Sequence, residues 1–152
     1  MTITCEIVTQ DRSVYNEEVD SINLPGIEGR MGILPNHAPL LTVLDFGEVI
    51  IRRQGEEEFF AIGGGVAEVT PTKVIILADS ADHLDEIDEQ KAAEARAAAQ
   101  KAMEEGATAD PEQYRMLEAA LRRESLRIDI YRKRRDRRRP GSGPMNVPDL
   151  SQ

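Results

Sequence analysis

The feature that most constrains this chain is a change of pattern near Asp79. Before it, apolar residues come in short runs rich in β-branched side chains. After it, alanine and long charged side chains take over. Ile3, Cys5 and Ile7 alternate with polar residues across 2–9. Val49 and Ile51 lie in 48–53, Phe59, Phe60 and Ile62 in 57–62, and Val74, Ile75 and Ile76 in 73–77. Runs of that length and composition predict strands. Gln54-Gly55 between two of them predicts a tight hairpin. Pro25-Gly26, Gly29, Gly32, Pro35-Asn36, Pro39, Gly47, Gly63-Gly64-Gly65 and Pro71-Thr72 punctuate the rest as turns or bends. Short strands at this spacing predict an antiparallel β-sandwich or barrel.

Residues 80–105 carry Ala81, Ala92, Ala93, Ala95, Ala97, Ala98, Ala99 and Ala102 among Glu, Lys, Arg and Gln. These are strong helix formers. Asp82 or Asp85 is the expected N-cap, and Gly106 the stop. Asp110-Pro111 then restarts a helix, with Pro111 at its first position. Leu117, Leu121, Ile128 and Tyr131 share one face of that second helix, which runs to about residue 135. The small side chains of the first helix allow close antiparallel approach. The pair holds few large apolar residues, so it either packs lightly on the β domain or swings away from it. Pro140-Gly141-Ser142-Gly143-Pro144 opens a tail expected to be disordered. The fold class is therefore β plus α, divided as 1–81 (sandwich), 82–139 (helical hairpin) and 140–152 (tail).

No apolar run reaches the roughly 18 residues that span a bilayer, and no secretory signal is visible at the N-terminus. The single cysteine, Cys5, cannot form an internal disulfide. The net charge of −9 is unevenly placed. Residues 1–121 hold 9 Lys/Arg against 24 Asp/Glu, whereas 122–139 hold 10 against 3. An acidic body with a basic end calls for an acidic partner, either a protein surface or nucleic acid. Only Tyr131 interleaves with the arginines, which is poor provision for base stacking.

Enzyme chemistry has little to stand on. His37 has no nucleophile or acid beside it in a known pattern, and His83 lies in a linker. Two histidines and one cysteine lack metal-ligand spacing. Gly63-Gly64-Gly65 is followed by Val66-Ala67 rather than by the Lys-Ser/Thr of a phosphate loop, and so predicts a strand bend.

Leu24-Pro25-Gly26, then Gly29-Arg30-Met31-Gly32-Ile33-Leu34-Pro35-Asn36-His37-Ala38-Pro39-Leu40-Leu41, resembles the signature of the epsilon subunits of F-type ATP synthases. Ala61-Ile62-Gly63-Gly64-Gly65-Val66-Ala67-Glu68-Val69 followed by Val74–Ala78 resembles the family's Gly-Gly-x-x-Glu-Val strand pair. A β domain of about 80 residues followed by an Ala-rich hairpin completes the likeness over residues 2 to about 135.

The resemblance implies a non-catalytic rotor protein with no required cofactor. Its partners would be the gamma shaft, the ring of c subunits and, with the hairpin extended, the alpha/beta head. Its place would be peripheral, on the cytoplasmic face of a bacterial membrane, with contact to the membrane only through the ring. It puts Arg30, Met31, Gly32, His37 and Leu41 at the ring, although many relatives carry an acidic residue at the place of Arg30. It assigns Arg122, Arg123, Arg127 and Arg132 to an inhibitory contact with a catalytic beta subunit.

Ile87-Asp88-Glu89-Gln90-Lys91-Ala92 resembles the family's Ile/Leu-Asp-x-x-Arg-Ala nucleotide motif, with Lys91 in place of Arg. ATP is thus expected as a weakly bound regulatory ligand of Ile87, Asp88, Lys91 and Ala92. Arg96, Arg123 and Arg127 would complete that site.

Overall fold

The computed structural model describes residues 1–106 and 110–138. The expected disordered tail and most of the 107–110 connector lie outside them. Eight strands form the N-terminal unit: β1 (Ile3–Val8), β2 (Ser13–Val19), β3 (Ser21–Gly26), β4 (Gly29–Ile33), β5 (Leu40–Arg53), β6 (Glu56–Val69), β7 (Lys73–Ala78) and β8 (Ala81–His83). Their order is β2-β1-β7-β6-β5-β3-β4, with β8 also on β6. The neighbours are antiparallel except β1 and β7. The two 14-residue strands β5 and β6 run the length of the sandwich. Along one half β6 pairs with β7, and along the other with β8.

Alternation builds the core. Ile3, Cys5 and Ile7 point inward with Val49, Ile51, Phe60, Ile62, Val74 and Ile76, all almost fully buried. Gln54 and Gly55 both have positive φ (52° and 80°), as a two-residue hairpin with the right twist requires.

Glycines expected as breaks lie inside strands, Gly29 and Gly32 in β4 among them. Gly47 is within β5, where a Cβ would come within 2.5 Å of the Pro25 ring. Gly63–Gly65 is the bend where β6 changes partner from β7 to β8. A Cβ on Gly65 would lie 2.1 Å from the Leu77 carbonyl oxygen, so glycine is required there by close approach rather than by a turn. Pro25-Gly26 closes β3, and the turn proper is Ile27-Glu28, since Gly26 pairs with Gly29.

The hairpin begins later than the sequence suggests. Asp82 is in β8, and Asp85 is in a 3-10 turn, Leu84–Glu86. The expected boundary at 81 therefore falls within β8, whose pairing with Phe60–Ile62 outweighs helix propensity. The N-cap is Asp88, whose Oδ1 accepts the Lys91 N–H at 3.1 Å. Helix α1 is Glu89–Glu104, and Gly106 (φ 100°) follows its end. Helix α2 is Pro111–Arg138. Asp110 accepts the Glu112 N–H at 3.0 Å, as expected of a cap. Ala92 and Ala99 are the buried residues of α1.

The hairpin is docked on the sheet through a small second core. Ile130 of α2 joins Phe59, Ala61, Leu84 and Ile87 in a second core, with Ile50, Leu126 and Tyr131 packed around it.

Candidate functional site

Both outward faces of the sandwich offer apolar surface. On the first, Val43 pairs with Val66, Val66 with Leu77, and Leu77 with Val8. Opposed residues share a face, so one row crosses four strands. Val43 is 52% exposed, Leu77 56% and nearby Leu41 71%. Glu6 and Glu68 flank the row on one side, Asp45 and Asp79 on the other. Among the described residues nothing covers it, and a row of aliphatic side chains rimmed by carboxylates has the character of a contact surface.

The second face is covered by α2. There Ile50 opposes Phe59, and Glu48 opposes Ala61, which opposes Asp82. Arg134 reaches Glu48 through Nε at 3.0 Å and a terminal nitrogen at 2.5 Å, with its guanidinium 4.1 Å from the Phe59 ring centre. Both side chains of the pair are nearly buried, and the hydrogen bond to Glu48 raises the pKa of the guanidinium above its ordinary value. Arg127 pairs with Asp82 at 2.6 Å and with Glu124 at 2.6 Å. Arg122 pairs with Asp45, and Arg132 with Glu89.

Three of the four residues assigned to the inhibitory contact, Arg122, Arg127 and Arg132, are thus held by carboxylates of other elements of the same chain. Arg123 lies 3.6 Å from its neighbour Glu124. Arg134 and Glu48 escaped the sequence reading. Leu126, Ile130 and Arg134 repeat every four residues, a second helical face beside the one through Leu117, Leu121 and Ile128, and that period was the available signal.

A cleft of about 270 Å³ lies where α1 starts beside α2. It brings together Ile87, Asp88, Lys91, Ala92 and Arg127 of the expected nucleotide set; Arg96 and Arg123 do not line it. Asp82, Glu86 and Glu124 do, so four carboxylates face two cations. Arg127 is already committed to two of them, and Glu86 is held by Arg12 at 2.7 Å.

The residues assigned to the ring are spread out. On β4, Arg30 turns toward its own sheet, donating to Asn23 Oδ1 and to the Glu48 carbonyl, both at 2.7 Å. Met31 is half-buried against the core, and Gly32 pairs with Asn23. His37 lies in the following loop, its Nδ1 2.7 Å from the Ala38 oxygen. That loop is tied to the β6–β7 turn by the Asn36 N–H donating to the Pro71 carbonyl at 2.8 Å. Leu41, at the start of β5, is 71% exposed. No helix among the described residues is long and apolar enough to cross a membrane.

A sandwich with one bare apolar face and a helical hairpin clamped to the other is the architecture of an assembly subunit. The family model for the ATP synthase delta/epsilon chain β-sandwich domain matches residues 2–83. The ATP synthase epsilon chain of Herpetosiphon aurantiacus is 47% identical over 137 residues, covering 90% of this chain and 99% of the relative. That of Chloroflexus aggregans is 42% identical over 139 residues, covering 91% and 99%. Among solved structures, a chain of the Euglena gracilis mitochondrial ATP synthase OSCP/F1/c-ring assembly superposes with a TM-score of 0.67 at 27% identity, over 82% of this chain and 78% of that one.

The chain belongs to the delta/epsilon-chain family of ATP synthases. It is an accessory subunit of that complex and not its catalytic one.

Proposed function

We propose that this chain is a rotor subunit of the central stalk that couples rotation of the c ring to ATP synthesis and restrains ATP hydrolysis. The observation that carries the reading is the uncovered row of Val8, Val43, Val66 and Leu77. A rigid sheet face of this kind suits the gamma shaft, and the end of the sandwich bearing His37 and Leu41 suits the c ring. Burying the row against a partner removes from water aliphatic surface worth about 25 cal/mol per Å². Torque then passes through a β-sandwich held by long antiparallel strands, β5 and β6, around a buried aliphatic core. The site of action is peripheral, on the cytoplasmic face of a bacterial membrane.

The hairpin is the restraint. In the folded arrangement its arginines are matched by Asp45, Asp82 and Glu89. An extended hairpin would present the same arginines to acidic residues of a catalytic beta subunit, exchanging one set of carboxylates for another. The test is ATP hydrolysis by the cognate alpha–beta–gamma complex with the full chain and with its Leu77→Asp variant. Wild type should bind and slow hydrolysis, and Leu77→Asp should do neither. Undiminished binding by Leu77→Asp would remove the docking assignment, and binding without slowing would remove the restraint.

ATP as a regulatory ligand is favoured by one observation, the convergence of Ile87, Asp88, Lys91, Ala92 and Arg127 on a single cleft. ATP bound there would favour the folded hairpin, because a ligand shifts an equilibrium toward the state it binds better. The excess of carboxylates makes the affinity low, and Lys91 lacks the planar fork of arginine. Equilibrium dialysis with labelled ATP at millimolar concentration checks this, with Lys91→Glu as the variant that should lose binding. No retention by wild type rules the ligand out.

A further inference from the structure

Glu48 and Asp82 occupy one outward row of the sheet, on either side of Ala61. Adjacent strands are about 4.8 Å apart, so the two positions stand roughly 10 Å apart across β5, β6 and β8. Arg127 and Arg134 are seven residues apart on α2, a rise of about 10.5 Å at ~1.5 Å per residue. The helix step therefore matches two strand spacings. Arg127 meets Asp82 while Arg134 meets Glu48, and Ile130 between them is buried against Phe59 and Ala61. Turning α2 by one residue swings its side chains by about 100° and breaks both contacts together.

We propose that these two pairs form a two-point latch that selects the docking register of α2, and that the Arg134–Glu48 pair is built to release. The inference rests on the proposal that the hairpin can leave the sheet. A buried ion pair contributes little compared with apolar residues of the same size, whereas removing one partner strands the other in a dry site. Arg134 and Glu48 avoid that penalty on release. Glu48 sits on an outer face and Arg134 on the helix that departs, so lifting α2 returns both charges to water at once. The phenyl ring of Phe59, 4.1 Å from the guanidinium of Arg134, adds a cation–ring attraction while the helix is down. The latch decides where the helix seats more than how tightly.

The test uses the isolated full chain, so that it reads hairpin docking whether or not the chain restrains an ATPase. Spin labels at Glu56→Cys and Glu118→Cys, both exposed sites, report the distance from sheet to helix. Buried Cys5 stays unlabelled. Hydrogen exchange over 126–134 reports docking independently.

Glu48→Ala strands Arg134 and should speed exchange over 126–134 at least about tenfold, with a broadened distance distribution. Glu48→Met with Arg134→Met should restore protection to wild-type level or above it. Arg134→Met alone, whose change lies on the helix and leaves the sheet sequence intact, should behave like Glu48→Ala. Exchange within about twofold of wild type in both single variants would overturn the latch. So would a double variant as unprotected as the singles.

Discussion

The guanidinium of Arg122 lies 4.4 Å from the centre of the Phe46 ring and 3.2 Å from Asp45. Unlike Arg134, it does so in the open, with its side chain 55% exposed. An exposed pair of this kind adds at most about 1 kcal/mol to the folded state, and the aromatic contact about as much. Arg122→Ala should therefore cost no more than about 1–2 kcal/mol in urea unfolding. If the arginines of α2 contact a catalytic beta subunit, the same substitution should reduce slowing of ATP hydrolysis well beyond its effect on folding. Raised ionic strength should reduce that slowing too, since exposed charge pairs are screened within about 8–10 Å. Slowing that is indifferent to both salt and Arg122→Ala would argue against a charge-based contact.

Gly65 is the position in the β domain least able to accept a side chain. Its φ is 144°, and a Cβ would overlap the Leu77 carbonyl oxygen and approach the Ala78 Cα at 2.8 Å. Both are backbone atoms of β7 and cannot step aside. Gly65→Ala should lose about 3 kcal/mol or more by chemical denaturation, with β6 and β7 separating. Gly55→Ala, with positive φ but open space around it, should lose only about 1 kcal/mol. Equal losses would mean that conformation alone, and not the close approach of strands, accounts for Gly65.

Asp88 carries two assignments that one pair of variants separates. As the N-cap of α1 it accepts the Lys91 N–H, and as a cleft residue it faces the proposed nucleotide. Asp88→Ala should cost about 1 kcal/mol of stability. Asp88→Ser keeps the cap and should recover most of that. If Asp88 also touches ATP, Asp88→Ser remains defective in equilibrium dialysis although its stability has returned.

Alkaline pH should destabilise the β domain through buried Cys5 and half-buried Tyr15. Burial, with Glu6 nearby, pushes the Cys5 thiol from 9.0 up to about 12. Burial chiefly, aided by Glu58, pushes the Tyr15 phenol from 10.0 up to about 12. A folded-state value above the unfolded one means that the unfolded chain releases its proton first. The stability is present in full below about pH 9 and is lost progressively toward about pH 12. Urea midpoints across that range should fall with pH. Cys5→Ala should lower the whole curve, because it leaves a small void, while making its slope shallower. The same burial predicts that Cys5 reacts with a thiol reagent only as fast as the protein opens.

Legibility differed from element to element. Strands with strict alternation or dense β-branching, such as β1 and β7, could be read directly, as could the Gln54-Gly55 turn. Strand β2 (Ser13–Val19) could not, because it is largely exposed and its polar side chains carry no period. The long strands β5 and β6 read as broken because Gly47 and Gly63–Gly65 look like punctuation. Their role is to let Pro25, Ser80 and the β7 backbone come close, which depends on residues distant in the chain. Asp85 looked like a helix cap for the same kind of reason: nothing local says that Ala81–His83 will pair with β6. The nucleotide motif was visible as a string of residues. Its four-carboxylate setting was not, since Asp82, Glu86 and Glu124 come from three separate elements.

The amino-acid sequence by itself determined the two-part organisation, the strand periodicity, the alanine-lined hairpin and the family, all of which rest on local pattern. It also placed the arginines of α2 on a helix after an acidic body. Only the tertiary structure decided which carboxylate each arginine meets, which sheet face lies bare and which is covered, and that Arg134 is buried on Glu48. Those outcomes depend on distances between segments far apart in the chain. Such distances are set by strand pairing and by the match between the rise of a helix and the spacing of a sheet.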